Sequence, residues 1–166
     1  MTLQNYYEEA FKKYHNKGIL VDTGPLLLLI IGSYDKDRIE RFKYTQKYRA
    51  QDYDLLLNIL SNFNKIVTTP SILTEVCNYL GYLPDEIKEN VLLSRFCPFI
   101  DGMDEKYIES SILGKEFCFK KFGLTDSSII NNAKGNFIVL SDDFPLCGYL
   151  IKNNIEAINF NHLRSF

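Results

Sequence analysis

The chain has 166 residues, 46% of them hydrophobic and 24% charged, with a formal net charge of −2. This is the balance of one globular domain of ordinary size, able to bury about 70% of its unfolded surface without staples; it excludes a disordered, collagenous or mucin-like chain. The slight acidity argues against a protein that binds nucleic acid over its whole surface, but it leaves room for a local basic patch.

Leu3 to Tyr14 reads as an amphipathic N-terminal helix within residues 1–17. Its Glu8, Glu9, Lys12 and Lys13 exclude a secretory signal core. Gly18 to Asp22 follows as a short, fully apolar strand that ends in a carboxylate, and Leu26 to Ile31 begins an apolar helix. The uncharged stretch around it, residues 23–34, is twelve residues long, short of the roughly twenty that a membrane span needs. Segment 32–49 is polar, basic and aromatic, and a helix over 52–63 carries Leu55, Leu56, Ile59, Leu60 and Phe63 at helical spacing. Lys65 to Thr68 is a second strand. Thr69-Pro70 then caps a helix that runs to about Leu80 and stops at Gly81. Helices are expected over Pro84–Phe96 and Asp104–Phe117, and another from a Thr125 cap to Ala133. Asn136 to Leu140 is a third strand, followed by Ser141-Asp142-Asp143, a helix to about Lys152, and a last strand over Ile155–Asn159.

Short apolar strands that alternate with helices predict an α/β fold, a three-layer α/β/α arrangement around a central parallel sheet. Four cysteines, Cys77, Cys97, Cys118 and Cys147, stand about twenty or more residues apart and form no CxxC. With only two histidines, His15 and His162, each isolated near one end, zinc is not expected. Scattered thiols of this kind fit a reducing cytoplasm.

Ligands of parallel α/β folds bind at the carboxyl ends of the strands, and acids gather there. Asp22 ends the first strand, Asp142 and Asp143 follow the third, Asp126 opens the helix before it, and Glu75 lies in the helix after the second. Each has an ordinary alternative. Asp22 suits a helix N-cap, Asp126 suits the positive end of a helix dipole, and Glu75 suits a solvated helix edge. Asp126, however, shares i, i+3, i+4 and i+7 spacing with Ile129, Ile130 and Ala133, and a buried carboxylate without a partner costs several kcal/mol. Acids converging in one crevice repel unless a cation lies between them. A hard divalent ion held by oxygen atoms and water is the natural answer.

Val21-Asp22-Thr23-Gly24-Pro25-Leu26, Thr69-Pro70-Ser71-Ile72-Leu73-Thr74-Glu75-Val76, Gly123-Leu124-Thr125-Asp126 and Leu140-Ser141-Asp142-Asp143-Phe144 resemble the four motifs of PIN-domain nucleases, in particular the VapC-like ribonuclease toxins. The resemblance spans about residues 18–160 in the right order. It implies a PIN-like fold over residues 1–166 and a divalent-metal-dependent endoribonuclease with Mg²⁺ or Mn²⁺ as cofactor. Asp22, Glu75 and Asp126 match its acids. In its last motif Ser141 matches the hydroxyl and Asp143 the acid, with Asp142 as the rival for that role. The implied partners are an RNA substrate and, for a toxin, a cognate antitoxin and a homodimer; no membrane is involved. A non-catalytic RNA-binding or assembly module and a nuclease acting on DNA are the alternatives. The N-terminal helix and residues 32–54 are additions relative to the compact toxins.

Within those additions, residues 36–49 set Lys36, Arg38, Arg41, Lys43, Lys47 and Arg49 against only Asp37 and Glu40, with Phe42, Tyr44 and Tyr48 interleaved. Arg38, Arg41, Lys43, Lys47 and Arg49 suit phosphate binding, and the rings suit base stacking; the alternative is a solvated segment whose rings pack on the core. Lys115, Lys120 and Lys121 form a smaller cluster ahead of Asp126. Two look-alikes fail. Asp22-Thr23-Gly24 matches the aspartic-protease triplet, but those enzymes are all-β. Asp35-x-Asp37 starts like a calcium loop, but Glu40 and Gln46 stand where it needs Gly and Glu.

Overall fold

The computed structural model describes residues 3–164. In chain order its elements are α1 (Leu3–Tyr14), β1 (Ile19–Val21), α2 (Thr23–Tyr34), a 3₁₀ turn over Lys36–Arg38, α3 (Ala50–Leu60), β2 (Ile66–Thr68) and α4 (Pro70–Leu80). Next come α5 (Asp85–Val91), a π-helical stretch over Leu92–Phe96, α6 (Cys97–Gly102), β3 (Asp104–Glu105) and α7 (Ser110–Leu113). The chain closes with α8 (Phe119–Ala133), β4 (Ile138–Ser141), α9 (Phe144–Lys152), β5 (Ala157–Asn159) and α10 (Phe160–Leu163).

The strands form one five-stranded sheet in the order β3-β2-β1-β4-β5, and every pairing is parallel. Alternate residues of a strand face opposite sides of a sheet. Every residue of β1, β4 and β5 is buried, so helices cover both faces in the central part of the sheet. The expected α/β fold with a parallel sheet is present, in an order consistent with a PIN-like, Rossmann-type topology.

Strand direction across the sheet explains where a site forms. From β1 the chain steps outward to β2 and β3, then returns to the other side of β1 as β4 and continues to β5. The reversal lies between β1 and β4. At such a switch point the connections leave in opposite directions and open a crevice at the carboxyl ends of the two strands.

Helix α2 is the centre of the core. Leu26 to Ile31 are all buried, which explains a run with no polar face. Buried side chains from α1 to α10 form one contiguous apolar cluster. Helix α1 joins it through Tyr7, Ala10 and Tyr14, and its Phe11 meets Phe63 edge-on at 5.5 Å. Among the described residues no helix is long and apolar enough to cross a membrane.

Three expectations need correction. The helix expected over Asp104–Phe117 is absent: Asp104–Glu105 is an edge strand paired with Val67–Thr68, and only Ser110–Leu113 is helical. Two acidic residues carry no hydrophobic period; the open edge of β2 made this strand. Second, the helix expected from Thr125 to Ala133 begins just after Gly123, where φ is +73°, with a helical turn from Phe119 ahead of that break and no cap from the Thr125 hydroxyl. Third, residues 32–54 are not a polar excursion. Ile39, Thr45 and Tyr48 are fully buried, and the segment is wound by successive turns between α2 and α3. Isolated apolar residues in a chain of turns have no period to read.

Gly32, on α2, lies so close to Tyr53 of α3 that an added Cβ would overlap the ring. Gly32→Ala should therefore destabilise the protein by about 1–3 kcal/mol through overpacking, despite alanine's better helix propensity. Urea unfolding measures this; a stabilised variant would contradict the packing of α3 on α2.

Candidate active site

The pairing of β1 with β4 sets Val21 beside Leu140. The residues that follow, Asp22 and Ser141, therefore stand side by side. The Asp22 amide donates to the Leu140 carbonyl at 2.9 Å, and the Ser141 hydroxyl donates to Asp22 Oδ2 at 2.6 Å. Asp22 Oδ1 accepts from the Thr23 amide at 2.6 Å, so the N-cap role and a place in the crevice coincide. Burial, with lesser contributions from the Asp142 and Glu75 charges, pushes the Asp22 carboxyl up to about 6, although the Ser141 and Thr23 hydrogen bonds pull it down.

Glu75 comes from the second turn of α4 and is not a solvated edge residue. Thr23 donates to its Oε2 at 2.8 Å and Thr125 to its Oε1 at 2.5 Å. The Thr125 hydroxyl expected to cap its own helix is thus committed to Glu75. Thr69 and Ser128 hydroxyls meet at 3.1 Å and tether α4 to α8, which keeps the Glu75–Thr125 contact in register. One turn of α8 beyond the Gly123 break, Asp126 is half-buried and accepts no hydrogen bond from any described group. Burial first, then the charges of Asp22, Asp143 and Glu75, push its carboxyl up to about 7.

The two acids after β4 have different surroundings. Asp142 Oδ2 accepts from the Tyr48 hydroxyl at 2.6 Å and pairs with the Lys47 ammonium. Its backbone carbonyl accepts from Asn161 at 2.7 Å. Asp143 spends Oδ1 on the Leu146 amide, capping α9 at 2.8 Å, and its Oδ2 has no hydrogen-bond donor. Only Asp143 of the two adds its charge to Asp126. Tyr48 is fully buried; burial and the adjoining Asp142 carboxylate raise its phenol far above the ordinary range, so it remains a donor. Gly24 makes this arrangement possible, since a Cβ there would come within 2.6 Å of Asp142 and 2.8 Å of the Tyr48 hydroxyl.

The basic segment divides. Phe42 and Tyr48 are core side chains, and Tyr44 packs on Phe42 and Tyr79; packing, not base stacking, accounts for these rings. Lys47 is committed to Asp142, and Arg38 stands 3.8 Å from Asp35. Arg41, Lys43 and Arg49 are exposed, and Lys43 sits over the Tyr44 ring. At the other end of the chain, Arg164 donates to the Lys47 carbonyl at 2.5 Å and to Asp52 at 2.9 Å, with its guanidinium over the Tyr48 ring. This clamp was not legible in the sequence; nor were Thr23 and Thr125 as partners of Glu75.

None of Asp22, Glu75, Asp126 and Asp143 makes an ion pair among the described residues. The donors in the crevice are oxygens, the set that Mg²⁺ or Mn²⁺ takes. Among the described residues no three acidic, histidine or cysteine side chains are gathered tightly enough to hold an ion by themselves. An ion here would take one or two carboxylates and complete its shell with water and substrate phosphate, as Mg²⁺ usually does. The buried Cys147 is no nucleophile: burial, then the Asp22 and Asp143 charges, push its thiol up to about 12.

Compared with family models, with curated proteins and with solved structures, the chain matches none of them.

The raised acids have a consequence for stability. Between about pH 4 and about pH 7 the folded protein binds more protons than the unfolded chain, because Asp126 titrates at about 7 when folded and at 3.8 otherwise. Stability of metal-free protein should therefore fall as pH rises through that window. Asp126→Asn cannot ionise. It should raise the melting temperature in EDTA at about pH 8, and flatten the decline between about pH 5 and about pH 8. A variant destabilised equally at both pH values would mean that Asp126 holds the fold through a structural contact.

Proposed function

We propose that the chain is a PIN-like, divalent-metal-dependent phosphodiesterase that cleaves RNA, with Asp22, Glu75, Asp126 and Asp143 as its acids. One observation carries the reading. Four carboxylates from four separate elements lie around the switch point of a parallel sheet, near enough for the charges of Asp22, Asp143 and Glu75 to act on Asp126, and among the described residues no Lys or Arg is paired with any of them. A purely structural cluster would be expected to hold a cation of its own, since an unpaired buried charge costs several kcal/mol. Here Lys47 is bound to Asp142 instead.

A bound Mg²⁺ or Mn²⁺ supplies a water activated near neutral pH and neutralises charge on the phosphate. The chain's own groups orient the acids. Ser141 and the Thr23 amide hold the two Asp22 oxygens, and Thr23 and Thr125 hold the two of Glu75. That leaves both oxygens of Asp126 and Oδ2 of Asp143 as acceptors without a donor. The free oxygen and its charge on Asp126 favour Asp143 over Asp142 as the fourth acid; Asp142, tied to Tyr48 and Lys47, positions the segment that covers the crevice.

Purified protein should cut single-stranded RNA in Mg²⁺ or Mn²⁺ and stop in EDTA. Asp22→Asn and Asp126→Asn should each lower the rate by more than about a hundredfold, beyond the 10–100-fold typical of groups that only support metal ligands. Asp143→Asn should cost more than Asp142→Asn. Cleavage that persists in EDTA would sink the proposal.

Thr125 should behave as a positioning residue. Thr125→Val should reduce cleavage by about 10–100-fold, and Thr125→Ser should restore it while both variants bind RNA as the parent does. Failure of serine to rescue would assign Thr125 to packing.

A further inference from the structure

Beside the acids, a groove of about 460 Å³ runs between the start of α8 and helix α9, lined by Phe117, Lys121, Phe144, Gly148, Tyr149 and Lys152 among others. We propose that this groove binds an unpaired nucleotide of a single-stranded RNA, next to the phosphate presented to the acids. The identity of the ligand rests on the phosphodiesterase reading above.

Four observations point the same way. First, the groove begins beside one of the acids: Phe144, which lines it, follows Asp143 in the chain. Second, its rings are open to solvent. Phe117 is 88% exposed and Phe144, edge-on to the His162 ring at 5.4 Å, is 56% exposed, whereas Tyr149 is packed edge-on against Phe122 at 4.9 Å. Flat apolar faces beside positive charge are the elements of single-strand recognition, since every base has a face to stack and every linkage a charge to pair.

Third, the lysines are uncommitted. Lys13, Lys36, Lys47, Lys88 and Lys106 all pair with acids, but neither Lys121 nor Lys152 makes an ion pair or hydrogen bond among the described residues. Lys121 stands over the Phe122 ring, and no acid lines the groove. Lys121 and Lys152 are therefore free to pair with a phosphate, as the exposed Arg41, Lys43 and Arg49 of the basic segment also are. Fourth, Gly148 occupies the interior of α9, where glycine weakens a helix. Packing does not demand it, because an added Cβ would meet no atom within 4 Å. Its lack of a side chain keeps the groove open.

The absent side chain at Gly148 supplies a test that does not depend on damaging the fold. A labelled single-stranded RNA of random sequence, about ten nucleotides long and within the usual single-strand site size, is titrated in Mg²⁺. The protein carries Asp126→Asn throughout, so that no strand is cut. Gly148→Leu fills the groove with a better helix former, and should lower affinity about tenfold with an equal or higher melting temperature. Phe117→Ala should lower affinity to a similar degree, the order of one lost base–aromatic stack. Lys121→Gln and Lys152→Gln should each reduce the log–log salt slope by about 0.7. A blunt RNA duplex should compete poorly.

The proposal is overturned if the parent does not bind the single strand, if Gly148→Leu and Phe117→Ala bind as the parent does, or if the duplex competes equally. It is overturned as well if Gly148→Leu changes self-association on size exclusion and leaves RNA affinity untouched, which would make the groove a contact between two copies. The two readings separate in the otherwise unaltered chain. Metal-dependent cleavage with groove variants that bind normally removes only the groove. Groove-dependent binding without any cleavage removes only the phosphodiesterase.

Discussion

The side-by-side pairing of β1 and β4 is the constraint on which the crevice depends. It puts the Asp22 carboxylate against the Ser141 hydroxyl at 2.6 Å, although the two are 119 residues apart in the chain. Two helices begin at the ends of these strands, and both are capped by an acid of the site, Asp22 for α2 and Asp143 for α9. The same carboxylates thus satisfy helix N-termini and act by their charge on Asp126. This explains how charged groups remain in a place where burial opposes ionisation.

The distribution of compensating groups is uneven in a way that bears on chemistry. Asp142, at the edge, receives a phenol, an ammonium and, at its carbonyl, an amide. Glu75 receives two threonine hydroxyls, which orient a carboxylate without neutralising it. Asp126 accepts no hydrogen bond from the described residues, and burial first, then the neighbouring charges, push its carboxyl up to about 7. The best-buried acid, Asp22, is thus held by two donors, whereas the half-buried Asp126 accepts from no described group.

Residues 36–49 and the chain's last described turn form a second device. Arg164 grips the Lys47 carbonyl and Asp52 and covers the Tyr48 ring, while Asn161 holds the Asp142 carbonyl. The basic segment is thereby pinned across the end of the sheet, with its aromatic rings inward. Its Lys47 is spent on Asp142, while Lys121 and Lys152 lie along α8 and α9.

The sequence by itself determined the parallel α/β fold, four of the five strands and the positions of Asp22, Glu75, Asp126, Asp142 and Asp143 at the carboxyl ends of strands or in the first two turns of helices. These are legible because apolar strands, caps and breakers are local signals, and a polar residue at the end of an apolar run stands out against it. Tertiary structure decided what is not local. Asp104–Glu105 became a strand because β2 offered an open edge. Phe42 and Tyr48 turned inward because α2 and α10 gave them apolar surface and Asp142 gave Tyr48 an acceptor. Thr125, read as a helix cap, met Glu75 because Thr69 and Ser128 bring α4 and α8 together. The different surroundings of Asp142 and Asp143 are of the same kind. Two adjacent acids are alike in sequence, and only the groups brought to each from distant parts of the chain make one a tethered strut and leave the other with a free oxygen.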